Sequence, residues 1–152
     1  MLQGPDGERI AAADFFQGPF TTARLAAELL TAVQLPPPPG ARHGFCEVAR
    51  RHGDFALAGA AVVVAPGAAG APGRHARIAL FSVAPCAFRA TAAETALAAG
   101  APAAEVAALA AAAAEPQGDI HATAAYRRQV AHVCVLQALA AAGFGSELGK
   151  GV

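Results

Sequence analysis

Residues 47–59 read Glu47-Val48-Ala49-Arg50-Arg51-His52-Gly53-Asp54-Phe55-Ala56-Leu57-Ala58-Gly59, a charged turn set between two apolar runs. The run that enters it, residues 45–49, and two later ones, residues 55–65 and 76–84, have the length of strands. The second and third are rich in Val, Ile, Leu and Phe, and the Pro/Gly-rich stretch 66–73 separates them. An antiparallel meander is the simplest topology joining the three. Beyond them the period changes. Thr91-Ala92-Ala93-Glu94 fits a capping box that opens a helix, and Gly100 supplies its stop. Pro102 suits the first position of a second helix, which runs through the alanine block to Glu115-Pro116. A third and longest helix is predicted over residues 122–142, with Asp119 or Thr123 near its cap and Gly143 after its end. Its apolar face is read as Tyr126, Val130, Val133 and Gln137 beside Leu136 and Ala140, with Arg127 and Arg128 pointing elsewhere. The resulting fold class is α+β, a three-stranded antiparallel sheet packed with helices.

Working toward the N-terminus, Pro36-Pro37-Pro38-Pro39-Gly40 excludes both helix and central strand and marks a boundary. Before it, Gly4-Pro5-Asp6-Gly7 is a tight-turn signal, and residues 28–35 alternate as a half-buried strand does. A turn so close to Met1 has almost no strand to reverse, so further sequence is expected upstream. At 152 residues the chain suits one domain plus an extension. Alanine supplies most of its 55% hydrophobic residues, while large core formers are few, with eight Phe, one Tyr, one Met and no Trp. Each buried alanine removes little area from water, so a partner surface is expected to complete the core.

Eleven basic and eleven acidic residues cancel, which argues against a nucleic-acid tracker or a polybasic membrane anchor. The longest uncharged stretch, residues 55–73, is broken by prolines and glycines and makes a poor bilayer span. No signal peptide is evident, and a cytoplasmic protein is expected. Cys46, Cys86 and Cys134 form neither a CxxC pair nor a disulfide framework. The five histidines fall in no HxxxH or HExxH spacing, so neither a metal site nor a catalytic residue is predicted. Cys134 and Cys46 read as structural thiols, and no P-loop, GxSxG or GxGxxG segment occurs. Taken alone, Arg50, Arg51, His52 and Asp54 read as a solvated turn with an Arg–Asp pair holding a hairpin.

Four ordered blocks alter that reading: residues 13–20 with Glu28-Leu29-Leu30 and Leu35-Pro36; residues 49–56; residues 76–80 with Val83-Ala84-Pro85 and Arg89; and Asp119-Ile120-His121-Ala122 with Ala125-Tyr126-Arg127-Arg128. Together they resemble the FAD-binding medium subunit of molybdenum hydroxylases, the family of aerobic carbon monoxide dehydrogenase and xanthine dehydrogenase. The resemblance implies that residues 1–38 are the incomplete end of an FAD-binding domain and residues 42–145 the C-terminal domain of that subunit. It implies FAD shared with a missing N-terminal region, and molybdopterin and [2Fe-2S] clusters held only in a large and a small partner subunit. Electrons would then pass from the clusters through FAD to an acceptor. By analogy with the animal enzymes, Leu30 matches a position against the flavin ring and Cys46 matches a lysine that contacts FAD. The loop from Glu47 to Ala56, which contains Arg50, Arg51 and Asp54, matches one that approaches the isoalloxazine. Cys46 lacks that lysine's charge, and Gly53 stands where the animal loop has an acid. The family's glycine-rich pyrophosphate segments have no counterpart in this sequence, so FAD retention by this chain alone is not expected. The competing expectation is a non-catalytic stand-alone α+β interaction module, or a truncated gene product without redox activity.

Overall fold

The computed structural model describes residues 2–3, 9–35, 39–66 and 74–145. The chain divides into two units, Met1–Pro37 and Pro38–Val152. In the first, β1 (Leu2–Gln3) pairs antiparallel with β2 (Arg9–Ile10), the single-turn helix α1 (Ala12–Phe15) comes next, and β3 (Phe16–Gly18) pairs with β4 (Thr21–Thr22). Phe15 is the one buried side chain among those described there, packed edge-on against Phe16 at 5.1 Å. The turn predicted at residues 4–7 lies outside the described residues. The strand predicted over residues 28–35 does not form. Only Val33 makes a bridge, and Leu29, Leu30, Val33 and Leu35 are exposed. Alternation specifies a strand only where a ladder partner and a surface to bury one face are both at hand, and here Glu28 instead closes a local turn on the Leu25 amide (2.7 Å).

The second unit carries β5 (Arg42–Ala49), β6 (Ala56–Pro66), β7 (Arg74–Phe81) and β8 (Phe88–Arg89), then α2 (Thr91–Ala98), α3 (Ala103–Ala112) and α4 (Ala124–Ala141). The strands form one antiparallel sheet in the order β5-β6-β7-β8. The meander is as predicted. A fourth, two-residue strand is added at the β7 edge, too short to leave an alternation pattern in sequence. Residues 67–73, the predicted Pro/Gly loop, lie outside the described residues.

One face of the sheet is covered by helices. Ala58, Ala60, Val62 and Val64 of β6 and Ala76, Ile78 and Leu80 of β7 meet Ala93, Leu97, Val106, Ala107, Ala110, Val130, Ala131, Cys134, Val135, Ala138 and Leu139 in a single core. α4 lies over β5 and β6, α2 over β7, and α3 joins the two helices. A Cβ built on Gly44 would overlap the carbonyl oxygen of Ala138, so only glycine lets α4 come this close to β5. On the opposite face Phe45 and Phe81 stack at 5.7 Å, with Phe81 lying across Gly59.

Two side-chain readings are corrected. α2 begins at Thr91 without a side-chain cap. Glu94 is buried instead, where it accepts from the Ile78 amide (2.9 Å) and from Arg89 Nε (2.8 Å) and is paired with Arg89 Nη2. It satisfies a β7 amide at the sheet edge in place of a helix amide, because a buried donor left unpaired costs more than a frayed exposed turn. α4 is capped by the Thr123 hydroxyl, which accepts from the Tyr126 amide (3.2 Å), and Gly143 lies past its end with φ +79°. Its buried stripe is rotated from the predicted one. Arg127, Val130, Ala131, Cys134, Val135, Ala138 and Leu139 face inward, while Tyr126 and Val133 are exposed.

Gly44→Ala should destabilise the chain by about 3 kcal/mol, because the obstruction is helix backbone, whereas Gly59→Ala should cost only about 1 kcal/mol since Phe81 can swing outward; chemical denaturation of the two variants measures the difference. Burial pushes the Glu94 carboxyl up, but hydrogen bonds from Arg89 and Ile78 and the charges of Arg89 and Arg77 outweigh it and hold Glu94 below the usual carboxylate range. A depressed carboxylate stabilises the fold fully above its unfolded pKa, about 4.3, and loses that contribution as pH falls through the lower folded value. Glu94→Gln should therefore cost about 3 kcal/mol at pH 7, with the gap to the parent chain closing below about pH 4 in denaturation curves taken across the acid range.

Candidate functional site

β5 ends at Ala49 and β6 begins at Ala56, and the six residues between them make the turn. The Asp54 amide donates to the Arg51 carbonyl at 3.1 Å, and Gly53 has φ +90°, a conformation glycine adopts without strain. Arg50 Nη2 and Asp54 Oδ2 are 3.4 Å apart, on side chains half and about one-third exposed. Glu47, Ala49, Arg50, Arg51, His52 and Gly53 line an open cavity of about 310 Å³. Its lining offers guanidinium and imidazole groups together with one carboxylate. Such a set can donate to carbonyl or anionic oxygens and can shift the electronic balance of a planar conjugated ring beside it.

Of the five site residues read from sequence, Arg50 and Arg51 line this cavity and Asp54 is paired to Arg50. Cys46 is not part of the lining. Its Sγ lies 3.0 Å from Gln137 Oε1 on α4, and the neighbouring Cys134 thiol is pushed up to about 12 by burial and by its hydrogen bond and proximity to Cys46. Leu30 belongs to the first unit and is half exposed. Glu47 and His52 also line the cavity: His52 stood in the charged cluster read from sequence, and Glu47 at the start of the matched loop, though neither was named as a site residue. Strand parity held the signal for Glu47. With Gly44 buried, Cys46 and Val48 share its face by the two-residue period, and Glu47 faces the other way.

Residues 43–142 match the family model of the CO dehydrogenase flavoprotein C-terminal domain. The chain belongs to this family. It is 35% identical over 148 residues to the carbon monoxide dehydrogenase medium chain of Hydrogenophaga pseudoflava, covering 93% of this chain and 51% of that one. A 65-residue stretch is 48% identical to the medium chain from Afipia carboxidovorans, 41% of this chain and 23% of that one. Reconstituted CO dehydrogenase from Oligotropha carboxidovorans superposes with a TM-score of 0.79 at 36% identity over 93% of this chain and 51% of that one. The chain thus spans about half the length of the longest of these matches. The CO dehydrogenase flavoprotein C-terminal domain here is the sheet-and-helix unit that carries the cavity, and the antiparallel sheet packed with helices is shared with those structures. No helix among the described residues is long and apolar enough to cross a membrane. Among the same residues no three metal-ligating side chains converge.

An exposed ion pair contributes little to folding, so Asp54→Ala should change the stability of the isolated chain by less than about 0.5 kcal/mol; equilibrium unfolding checks this and establishes the variant as a probe of the cavity rather than of the fold.

Proposed function

We propose that this chain is the C-terminal portion of the flavin subunit of a molybdenum hydroxylase and helps to position FAD. The observation that carries the reading is that the charged cavity at the β5–β6 turn falls inside the region matching the flavoprotein family, residues 43–142. On this reading residues 42–145 form the subunit's C-terminal domain and residues 1–38 the end of an FAD-binding domain completed by another stretch of polypeptide. The partners are a large subunit with the molybdenum cofactor and a small iron–sulfur subunit, in keeping with relatives named as medium chains of CO dehydrogenase. When bound, FAD supplies the chemistry of passing electrons from [2Fe-2S] clusters to an acceptor.

The residues of this chain position and tune. Arg50 and Arg51 present donors toward the polar edge of the ring system, Asp54 restrains Arg50, and Leu30 offers an apolar contact to the ring. Cys46 acts from behind, tying β5 to Gln137 of α4. On this reading the donor set serves the ring and not the pyrophosphate. The glycine-rich segments whose backbone amides hold the pyrophosphate in this family have no counterpart in this sequence.

Purified alone, the chain should be colourless. Assembled with a family FAD-binding region and the two partner subunits, Asp54→Ala should change flavin reoxidation on the order of fivefold, the rate equivalent of about 1 kcal/mol, while substrate oxidation at molybdenum stays within error. Stopped-flow absorbance of the flavin measures both half-reactions. Tight FAD binding by the isolated chain would overturn this assignment of ring contacts without capture, and unchanged flavin kinetics in the variant would remove these residues from the flavin site and favour a stand-alone interaction module.

A further inference from the structure

The register of β5 on β6 shifts beside the turn. Val48 faces Ala58 but Ala49 faces Ala56, leaving Leu57 without a partner on β5. A bulge of this kind bends the strand and re-aims the residues on either side of it. Leu57 is itself buried, at the start of a run of buried residues that continues to Ala60. The bulge stands three residues after Asp54, so its geometry sets how the cavity loop re-enters the sheet.

Leu57 is held from α4. Arg127 Nη1 donates to the Leu57 carbonyl at 2.8 Å, and Arg127 Nη2 to Asp119 Oδ2 at 2.6 Å. Asp119 is itself fixed, its Oδ1 accepting from the His121 and Ala122 amides at 2.8 and 2.9 Å. Two turns along the same helix face, the Cys134 thiol lies 3.7 Å from the Ala58 carbonyl. Arg127 is 8% exposed, and its Nε has no hydrogen-bond partner among the described residues. Burying a guanidinium with an orphan donor is costly, and a Met or Leu would cover the same core without that penalty. What the guanidinium alone supplies is a planar fork with fixed donor directions.

We propose that Arg127 is a positioning residue for the loop of residues 50–54, holding the Leu57 bulge in register by bridging its carbonyl to Asp119. Its functional consequence rests on the flavin reading of that loop, while the clamp is a property of the chain itself. Arg127→Lys keeps a charge beside Asp119 but lacks the fork, and Asp119→Asn keeps the bond to Leu57 but weakens its anchor. In hydrogen exchange of the full chain, Arg127→Lys should speed the amides of residues 54–58 by about tenfold while Ile78 and Leu80 change by less than about twofold, with Asp119→Asn giving the same pattern at smaller amplitude. A uniform rise through β5, β6 and β7 in these variants, or no rise at residues 54–58, overturns the proposal. If Arg127→Lys fails to fold, Asp119→Asn decides. In the assembled complex, Arg127→Lys should slow flavin reoxidation severalfold with substrate oxidation at molybdenum unchanged. Localised exchange with unaltered reoxidation would overturn the flavin role of the loop, and the functional half of the proposal with it, while leaving the clamp established.

Discussion

The second unit depends on the close approach of α4 to the sheet. Gly44 beneath the Ala138 carbonyl sets the distance, and the surrounding layer is made of side chains small enough to accept it, with Ala58 and Ala60 below and Ala131, Cys134 and Ala138 above. A core of this composition gains little from the burial of any one residue. Its stability has to come from many close contacts at interior packing density, because dispersion falls off steeply with any gap. The alanine-rich composition and the α4–sheet spacing are therefore one constraint seen at two levels. Larger side chains, Ile78, Leu80, Leu139 and Val106, complete the same buried core.

Thin packing leaves polar groups to define where elements stop. Glu94 takes up the Ile78 amide next to where the short β8 ends, and Arg89 and Arg77 hold that carboxylate ionised. Arg42, at the start of β5, reaches the Gly143 carbonyl and lies over the Phe144 ring at 4.1 Å, closing the C-terminal end of α4. Arg128 donates to the Ala114 carbonyl just past α3. Asp119, held below the usual carboxylate range chiefly by the His121 and Ala122 amides, shapes the turn that leads into α4. These contacts are directional where the core is not, and they place the cavity loop between a fixed β5 and a fixed start of β6.

Much of this was legible from residues alone. The three long strands, the three helices, Gly100 and Gly143 as stops and Thr123 as a cap rest on local chemistry, and local chemistry is written in the sequence. The charged cluster at residues 50–54 was recognisable as a turn, and its match to a flavoprotein family gave it a direction. The misreadings share a cause. Thr91 and Glu94 satisfy a capping-box spacing, yet Glu94 was drawn to a β7 amide sixteen residues away. Tyr126 and Val133 look like part of the apolar face of α4, but the face that meets the sheet carries Val130, Ala131, Cys134, Val135 and Ala138. Residues 28–35 have the alternation of a strand, yet among the described residues only Val33 makes a bridge and the leucines stay exposed.

The sequence by itself determined the element types, their order, the family and the position of the charged turn, because periodicity, capping residues and glycine stops act over a few positions. Tertiary structure decided which carboxylate caps an amide, that Arg127 is buried on a strand carbonyl, that Cys46 turns toward Gln137, and that Glu47 and His52 share a cavity with Arg50 and Arg51. The physical reason is that a buried polar group takes whichever partner the packed helices and strands bring within hydrogen-bond reach, and that choice is made across distances the sequence pattern does not record.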